Sequence, residues 1–252
     1  MKFENLDARM RIYETAHDHC VLPGLHIVVR LDGKNFTRLT KETWPFEAPF
    51  DPRFRDLMLD TVTHLMECGG VNAVYGYTQS DEISLLLRQD DNSFGRKTRK
   101  LISVLAGEAS AKFSLGLGGV GVFDARVSQL PSAASVVEYF RWRHEDAHRN
   151  ALSAHCYWLL RKRGDSAQAA TQALLGLSTA GKNELLFQHG IQFNDLPAWQ
   201  KRGTAIHWED YNKPALHPRT GEAVTAQRRR LSRNLELPLG EAYGEYVRGF
   251  LA

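Results

Sequence analysis

Two acidic clusters stand where short apolar runs stop. Leu25, Ile27, Val28, Val29 and Leu31 form a run rich in β-branched residues that ends at Asp32-Gly33. It reads as a buried strand carrying a carboxylate to its C-terminal end. Ser80-Asp81-Glu82 lies between two further strand-like runs, Val71 to Tyr77 and Ile83 to Leu87, and so falls at a hairpin tip or beside a bulge. Sheets of α/β type tend to place their chemistry at such strand ends. If the two strands are neighbours, Asp32 and Asp81 can share one metal site. Mg²⁺ takes a few hard oxygens, backbone carbonyls included, and keeps the rest of its shell for water and phosphate. Asp32, the Gly33 carbonyl and Asp81 meet that requirement, and glycine at 33 leaves no side chain between a triphosphate and the backbone. Taken singly, an Asp-Gly after a strand is most often a turn and a Ser-Asp-Glu a cap. Two acidic tips on adjacent strand ends are more specific, because that arrangement lets two Mg²⁺ ions activate a hydroxyl and stabilise a leaving pyrophosphate.

The elements that must hold these tips follow from periodicity. A helix around Arg9, Arg11, Tyr13 and Glu14 precedes Pro23-Gly24, and the segment after Gly33 is loop-like through Pro45, Pro49 and Pro52. Phe54, Leu57, Met58, Thr61, Val62, Leu65 and Met66 recur at helical spacing, with Gly69-Gly70 as the stop, which predicts a helix over 53–68. A second helix is expected over 93–117 through Leu101, Val104, Leu105, Ala109 and Phe113, and a strand over 120–127. Residues 25–128 therefore read strand, helix, strand, strand, helix, strand. That order predicts an α+β fold of ferredoxin-like type, a four-stranded antiparallel sheet with two helices on one face and strands one and three in the centre.

From Pro131 the pattern turns helical, over 134–163 as one helix or two, over 166–177 behind a serine cap, and over 181–190. Residues 203–208 read as a strand, and the remainder, rich in Arg, Pro and Gly, as extended or partly mobile. The expected division is 1–130 with its lead-in and a mainly helical 131–252, packed as one unit.

The composition, 43% hydrophobic and 24% charged over 252 residues, is that of an ordinary globular chain able to bury a core. No run approaches the length of a membrane span, and Met1 to Asn5 carries no apolar signal core, so a cytoplasmic protein with no membrane partner is expected. Cys20, Cys68 and Cys156 are too few and too scattered for a disulfide framework, in keeping with a reducing compartment. The net charge of +3 permits nucleic-acid binding without demanding it. Basic residues bunch at 96–100, 141–163 and 228–230. Arg141, Arg143, Arg149, Arg161 and Arg163 are suited to phosphate contacts, against the plainer reading of a solvated helix surface.

Several motifs in order resemble one family. Arg30-Leu31-Asp32-Gly33-Lys34-Asn35-Phe36, Pro49-Phe50-Asp51, Tyr75-Gly76 ahead of Ser80-Asp81-Glu82, Phe123-Asp124-Ala125-Arg126 and Lys182-Asn183-Glu184-Leu185-Leu186-Phe187 together resemble the tRNA(His) guanylyltransferase family, over about residues 9–210. The resemblance implies a polymerase-like palm that adds nucleotides to the 5′ end of tRNA in the 3′-to-5′ direction. It implies that Asp32, Gly33 and Asp81 hold two Mg²⁺ ions with Glu82 in support, and that ATP, GTP or other NTPs are substrates. Gly33, Lys34, Asn35, Phe36, Asp51, Ser80 and Lys182 are then expected at the nucleotide, His148 and Asn150 join the arginines as RNA contacts, and the assembly is expected to be a homotetramer. Where the eukaryotic members read His-Ile-Asn-Asn-Leu-Tyr-Asn, this chain reads His148-Arg149-Asn150-Ala151-Leu152-Ser153-Ala154, and Ala48 stands where they carry a basic residue. Both departures resemble the bacterial and archaeal branch, whose members repair truncated 5′ ends by templated addition. A dedicated enzyme adding one 5′ guanosine to tRNA(His) is the alternative.

Other readings have less behind them. His17, His19, Cys20 and His26 match no closed zinc spacing, and His155-Cys156 beside Tyr157-Trp158 suits a core. No Gly-x-x-x-x-Gly-Lys-Ser/Thr run is present. The Gly-Gly-Asp/Glu-Glu-Phe signature of a diguanylate cyclase is absent. A non-catalytic RNA-binding module of RRM type needs stacking aromatics on its central strands, and Leu25 to Leu31 offers none.

Overall fold

The computed structural model describes residues 2–216 and 222–251. Its elements run α1 (Phe3–Thr15), β1 (His26–Gly33), the short α2 (Phe36–Arg38) leading into a π turn over Leu39–Thr43, α3 (Pro52–Cys68), β2 (Ala73–Gln79) and β3 (Glu82–Leu87). A 3₁₀ turn at Ser93–Arg96 leads into α4 (Thr98–Leu117), then β4 (Phe123–Leu130), α5 (Ala133–Lys162), α6 (Ala167–Leu174) and α7 (Thr179–Phe187). Another 3₁₀ turn at Phe193–Asp195 precedes α8 (Ala198–Arg202), β5 (Thr204–Leu216), β6 (Ala223–Asn234) and α9 (Gly240–Arg248).

Among the described residues the strands form one sheet in the order β4-β1-β3-β2-β5-β6, every pair antiparallel. The first four follow the expected ferredoxin-like order with β1 and β3 central. The second half lengthens this sheet, since β5 pairs with β2 from Tyr75↔His207 to Thr78↔Thr204. The expected strand at 203–208 thus runs on to Leu216, and the stretch read as extended or mobile is largely a hairpin strand, β6, and a helix, α9. Residues 217–221 of that stretch lie outside the described residues. The hairpin carries no alternating apolar pattern because most of β6 faces solvent on both sides at a sheet edge.

Both faces of the sheet are covered. On one, Ile27, Val29 and Leu31 of β1 pack against Met58, Val62 and Leu65 of α3 and Leu101, Leu105 and Phe113 of α4. On the other, Val28, Tyr75, Tyr77 and Leu86 meet Val136, Val137 and Phe140 of α5 and Tyr243 and Val247 of α9. This double burial explains why β1 is continuously apolar from Ile27 to Val29 instead of alternating. Two caps fix the helices that matter for the site. Asp51 accepts from the Arg53 amide at 2.7 Å ahead of Pro52 at the first helical position of α3. Ser132 accepts from the Ser135 amide at 3.2 Å and starts α5, which runs unbroken for 30 residues. Among the described residues no helix is long and apolar enough to cross a membrane.

Candidate active site

The register of the central strands brings the two acidic tips together. Asp32 lies opposite Glu82 in the β1–β3 pair, the Gly33 amide donates to the Asp81 carbonyl at 3.1 Å, and Ser80-Asp81 forms the turn between β2 and β3. Ser80 takes a left-handed conformation, φ 53°, and its hydroxyl donates to Asp81 Oδ1 at 3.2 Å. Burial pushes the Asp81 carboxyl up to about 6, and the neighbouring Asp32 and Glu82 carboxylates add to the shift. Gly33 has a packing reason beyond close approach, because a Cβ there would fall 2.5 Å from the Phe36 ring.

Two arginines complete the cluster. Arg30 and Asp32 are two residues apart on β1 and so share a face. The Arg30 guanidinium donates to Asp32 Oδ2 at 2.9 Å and ion-pairs with Glu82 Oε2 at 3.1 Å. Arg143 reaches down from α5 and donates to both Glu82 oxygens, at 2.6 and 2.7 Å. Burial pushes the Glu82 carboxyl up, and Arg143 and Arg30 oppose that push. Three carboxylates therefore face two guanidiniums, leaving an excess of negative charge beside hard oxygens at Asp32, Asp81 and the Gly33 backbone. That donor set fits a divalent cation of the Mg²⁺ kind.

Two cavities meet at Ser80 and Asp81. The smaller, about 410 Å³, is walled by Arg30, Asp32, Glu82, Arg143, Asp146 and Asn150. The larger, about 780 Å³, runs between α3 and α5, with Phe46, Phe50, Phe54, Tyr157, Trp158 and Trp199 among its walls. Several polar groups of the larger cavity are already engaged. Thr40 donates to the Phe36 carbonyl at 2.9 Å, Gln79 to the Gln200 carbonyl at 2.8 Å and Thr171 to the Ala167 carbonyl at 2.8 Å. Lys41 lies over the Tyr157 and Trp158 rings, at 5.2 and 5.5 Å.

Residues 7–131 match the family described as tRNAHis guanylyltransferase (Thg1), and residues 134–237 match the Thg1 C-terminal domain. The chain belongs to the tRNA(His) guanylyltransferase family. It is similar to the tRNA(His) guanylyltransferase of Debaryomyces hansenii, at 32% identity over 85% of this chain and 86% of the relative. Among solved structures it resembles a bacterial Thg1-like protein in complex with ATP, and the same kind of protein in complex with GTP. Each has a TM-score of 0.75 and 30% identity, covering 98% of this chain and 99% of the other. The Saccharomyces cerevisiae enzyme matches with a TM-score of 0.72 and 27% identity over 82% of this chain and 93% of the other. Membership makes this chain a nucleotidyltransferase acting on tRNA.

The guanylyltransferase motifs fall unevenly around the site. Asp32, Gly33, Ser80, Asp81 and Glu82 converge, and Asp51 reaches the wall of the larger cavity. Phe36 also touches that wall, but at 2% exposure it belongs to an aromatic cluster with Phe54, Phe113 and Phe123. Lys34 and Asn35 are exposed, and Asn35 turns the chain at φ 61°. Lys182 lines neither cavity but donates at 3.0 Å to Ser153, a wall residue of the larger one. Of the expected RNA contacts, Arg149 is exposed and, with Asn150, bonds Asp146 at 3.0 and 3.2 Å. Arg143 is buried in the site, Arg141 lies 3.9 Å from Glu145, and His148 packs on Phe193 at 5.2 Å. Arg161 bonds the Asp165 carbonyl at 2.8 Å. With about 1.5 Å of rise per residue, Arg161 lies roughly 27 Å along α5 from Arg143, and Arg163 follows its last turn. Two contributors had no role at the site assigned from the sequence, where Arg30 stood only within a motif and Tyr157-Trp158 suited a core. Arg30 carried a signal, a charge at strand period two from Asp32. The aromatic wall carried none, because Tyr157 and Trp158 of α5 meet Trp199 of α8 and Phe46, Phe50 and Phe54 only in the folded chain.

Proposed function

We propose that the chain repairs 5′-truncated tRNA by adding nucleotides in the 3′-to-5′ direction, each chosen by the opposing template base. ATP first adenylylates a 5′-monophosphate with release of pyrophosphate, and the 3′-hydroxyl of an incoming NTP then attacks that 5′-phosphate and expels AMP; an RNA that already carries a triphosphate skips the first step and releases pyrophosphate. Asp32, the Gly33 carbonyl and Asp81 would hold two Mg²⁺ ions. When bound, such ions stabilise charge on phosphoryl oxygens and acidify an attacking hydroxyl. The larger cavity takes the nucleoside, with Ser80 and Asp51 at its inner end, while Arg149 and Asn150 meet RNA at the rim of the smaller one. The ATP and GTP complexes of the bacterial relatives support the nucleotide assignment. The same reading takes the enzyme as a cytoplasmic homotetramer. α1 buries none of its residues and leaves Phe3, Ile12 and Tyr13 exposed, which offers apolar surface to a second copy.

The observation that carries template choice is the wall of the larger cavity. Stacking on aromatic rings tolerates every base, because each has a π-face. Of the polar groups here, the Thr40 hydroxyl, the Gln79 amide NH2 and the Asp51 carboxylate are engaged within the protein and Ala48 adds no polar side chain, so the aromatic wall, more than any dedicated set of base-edge contacts, supports this reading. Watson–Crick pairing must then place the attacking hydroxyl, and a misplacement of about 1 Å costs on the order of 10²-fold in rate. The names of the curated relatives favour the second reading, dedicated guanosine addition to tRNA(His). The deciding measurement is kcat/KM for each of four NTPs on tRNAs lacking the first 5′ nucleotide, with the template base varied. Repair predicts that preference follows the template for any tRNA and that addition stops once the acceptor stem is complete. Guanosine preference whatever the template, or activity confined to tRNA(His), would overturn it.

A further inference from the structure

Glu82 stands beside the proposed cation site yet is clamped by two arginines. Glu82 faces Asp32 across the β1–β3 pair. Directly opposed residues on one sheet face stand about 5 Å apart at Cβ, so a glutamate here is within reach of whatever cation Asp32 holds. Its carboxylate is held by two guanidiniums instead. Arg143 takes both oxygens in a two-pronged pairing, and Arg30 sits on the same group while holding Asp32 with its other arm. The clamp is itself braced. The Arg143 guanidinium lies 4.5 Å from the Trp142 ring and donates to Asp146 at 3.2 Å, and Asp146 in turn accepts from Arg149 and Asn150. Among the described residues no three His, Cys, Asp or Glu side chains converge on a cation position.

We propose that Arg143 is a positioning residue which, with Arg30, keeps the Glu82 carboxylate off the cation and so holds the site at two carboxylates and a backbone carbonyl. The proposal rests on the assignment of Asp32, Gly33 and Asp81 as the cation site. The chemical reason is coordination number. Mg²⁺ in phosphoryl-transfer sites is bound by one or two carboxylates plus substrate phosphates and water. A third carboxylate takes a position that phosphate must occupy and raises cation affinity at the expense of turnover. Lysine at 143 supplies charge without the planar two-pronged fit, so it restrains Glu82 only partly.

The test uses Mn²⁺ alone, with neither nucleotide nor RNA, and counts the waters on the bound ion by electron–nuclear double resonance. The full-length chain carries Arg143→Met, which keeps the stem beside Trp142, or Glu82→Gln, or both changes. Arg143→Met is expected to lose at least one bound water as Glu82 joins the ion, to bind Mn²⁺ about tenfold tighter, and to lose on the order of 10²-fold in kcat. The double variant is expected to regain the wild-type water count, and Glu82→Gln to keep it. Arg143→Lys should fall between wild type and Arg143→Met in kcat. Charge loss alone would change affinity without changing hydration. An unchanged water count in Arg143→Met overturns the proposal, as does an extra water in Glu82→Gln, which decides the matter even where Arg143→Met fails to fold. Asp32→Ala is the control for the underlying site. Wild-type Mn²⁺ binding in that variant would overturn the site assignment, and the clamp with it.

Discussion

Asp51 shows how one side chain joins fold to site. Its carboxylate accepts the Arg53 amide at 2.7 Å and the Glu47 amide at 2.6 Å, so it caps α3 and staples the preceding loop, while its rim closes the larger cavity. The Arg53 guanidinium, 2.6 Å away, is the largest influence holding the Asp51 carboxyl down at about 2. Removing the acid should remove a cap and leave the Arg53 and Glu47 amides without their carboxylate partner, so Asp51→Ala is expected to lose about 1–2 kcal/mol in urea denaturation. The pH dependence has a definite sign. A native carboxyl below its unfolded value of about 3.9 stabilises the fold fully above that value and loses the contribution as pH falls towards about 2. The stability gap between wild type and Asp51→Ala should therefore stay constant from neutral pH down to about 5 and shrink between about 4 and 2. A gap that persists undiminished at pH 2 would assign Asp51 a purely steric part.

Among the elements, α3 packs closely on β2, and both contribute wall residues to the larger cavity. Gly76 lies on β2 under this helix, and a Cβ there would fall 2.5 Å from Val62 Cγ1 and 3.1 Å from Met66 Sδ. Gly76→Ala is thus expected to destabilise by about 1–3 kcal/mol through overpacking. Val62→Ala should relieve it, so that in chemical denaturation the double variant is more stable than the sum of the single losses allows. Strict additivity would mean the helix moves away and the close approach is not needed. The same element was plain in the sequence, since Phe54 to Met66 repeats at helical period and Gly69-Gly70 ends it. The two acidic tips were legible for a similar reason, as apolar runs that stop at charges. β6 was not, because Arg228, Arg229 and Arg230 stand on an exposed edge where no core imposes alternation. α9 was hidden by Gly240 and Gly244, residues of poor helix propensity, although Gly244 is where α9 approaches α5, a Cβ there lying 3.2 Å from Val137 Cγ1. The partner of Arg143 was equally invisible, since Glu82 is 61 positions away and only the folded sheet brings them together.

At the scale of the whole molecule, the site is a seam. β1 and β3 of the first half supply Asp32 and the clamp's acid, the turn ahead of β3 supplies Asp81, and α5 of the second half supplies Arg143, Asn150 and much of the aromatic wall. Neither half alone encloses either cavity. The sheet continues across both through β2 and β5, which gives the seam a rigid floor. The charge is concentrated here too, three carboxylates against two guanidiniums in a chain whose net charge is only +3. Under the proposed function, nucleotidyl transfer lies at Asp32 and Asp81 and RNA affinity elsewhere. The most direct test is single-turnover addition of a nucleotide, with Mg²⁺, to a 5′-triphosphorylated tRNA lacking its first residue, using Asp32→Ala and Asp81→Ala with RNA affinity measured in parallel. Each variant is expected to lose on the order of 10³-fold in rate, while its Kd for the tRNA stays within a few fold of wild type. Near-normal addition by either variant would contradict this assignment.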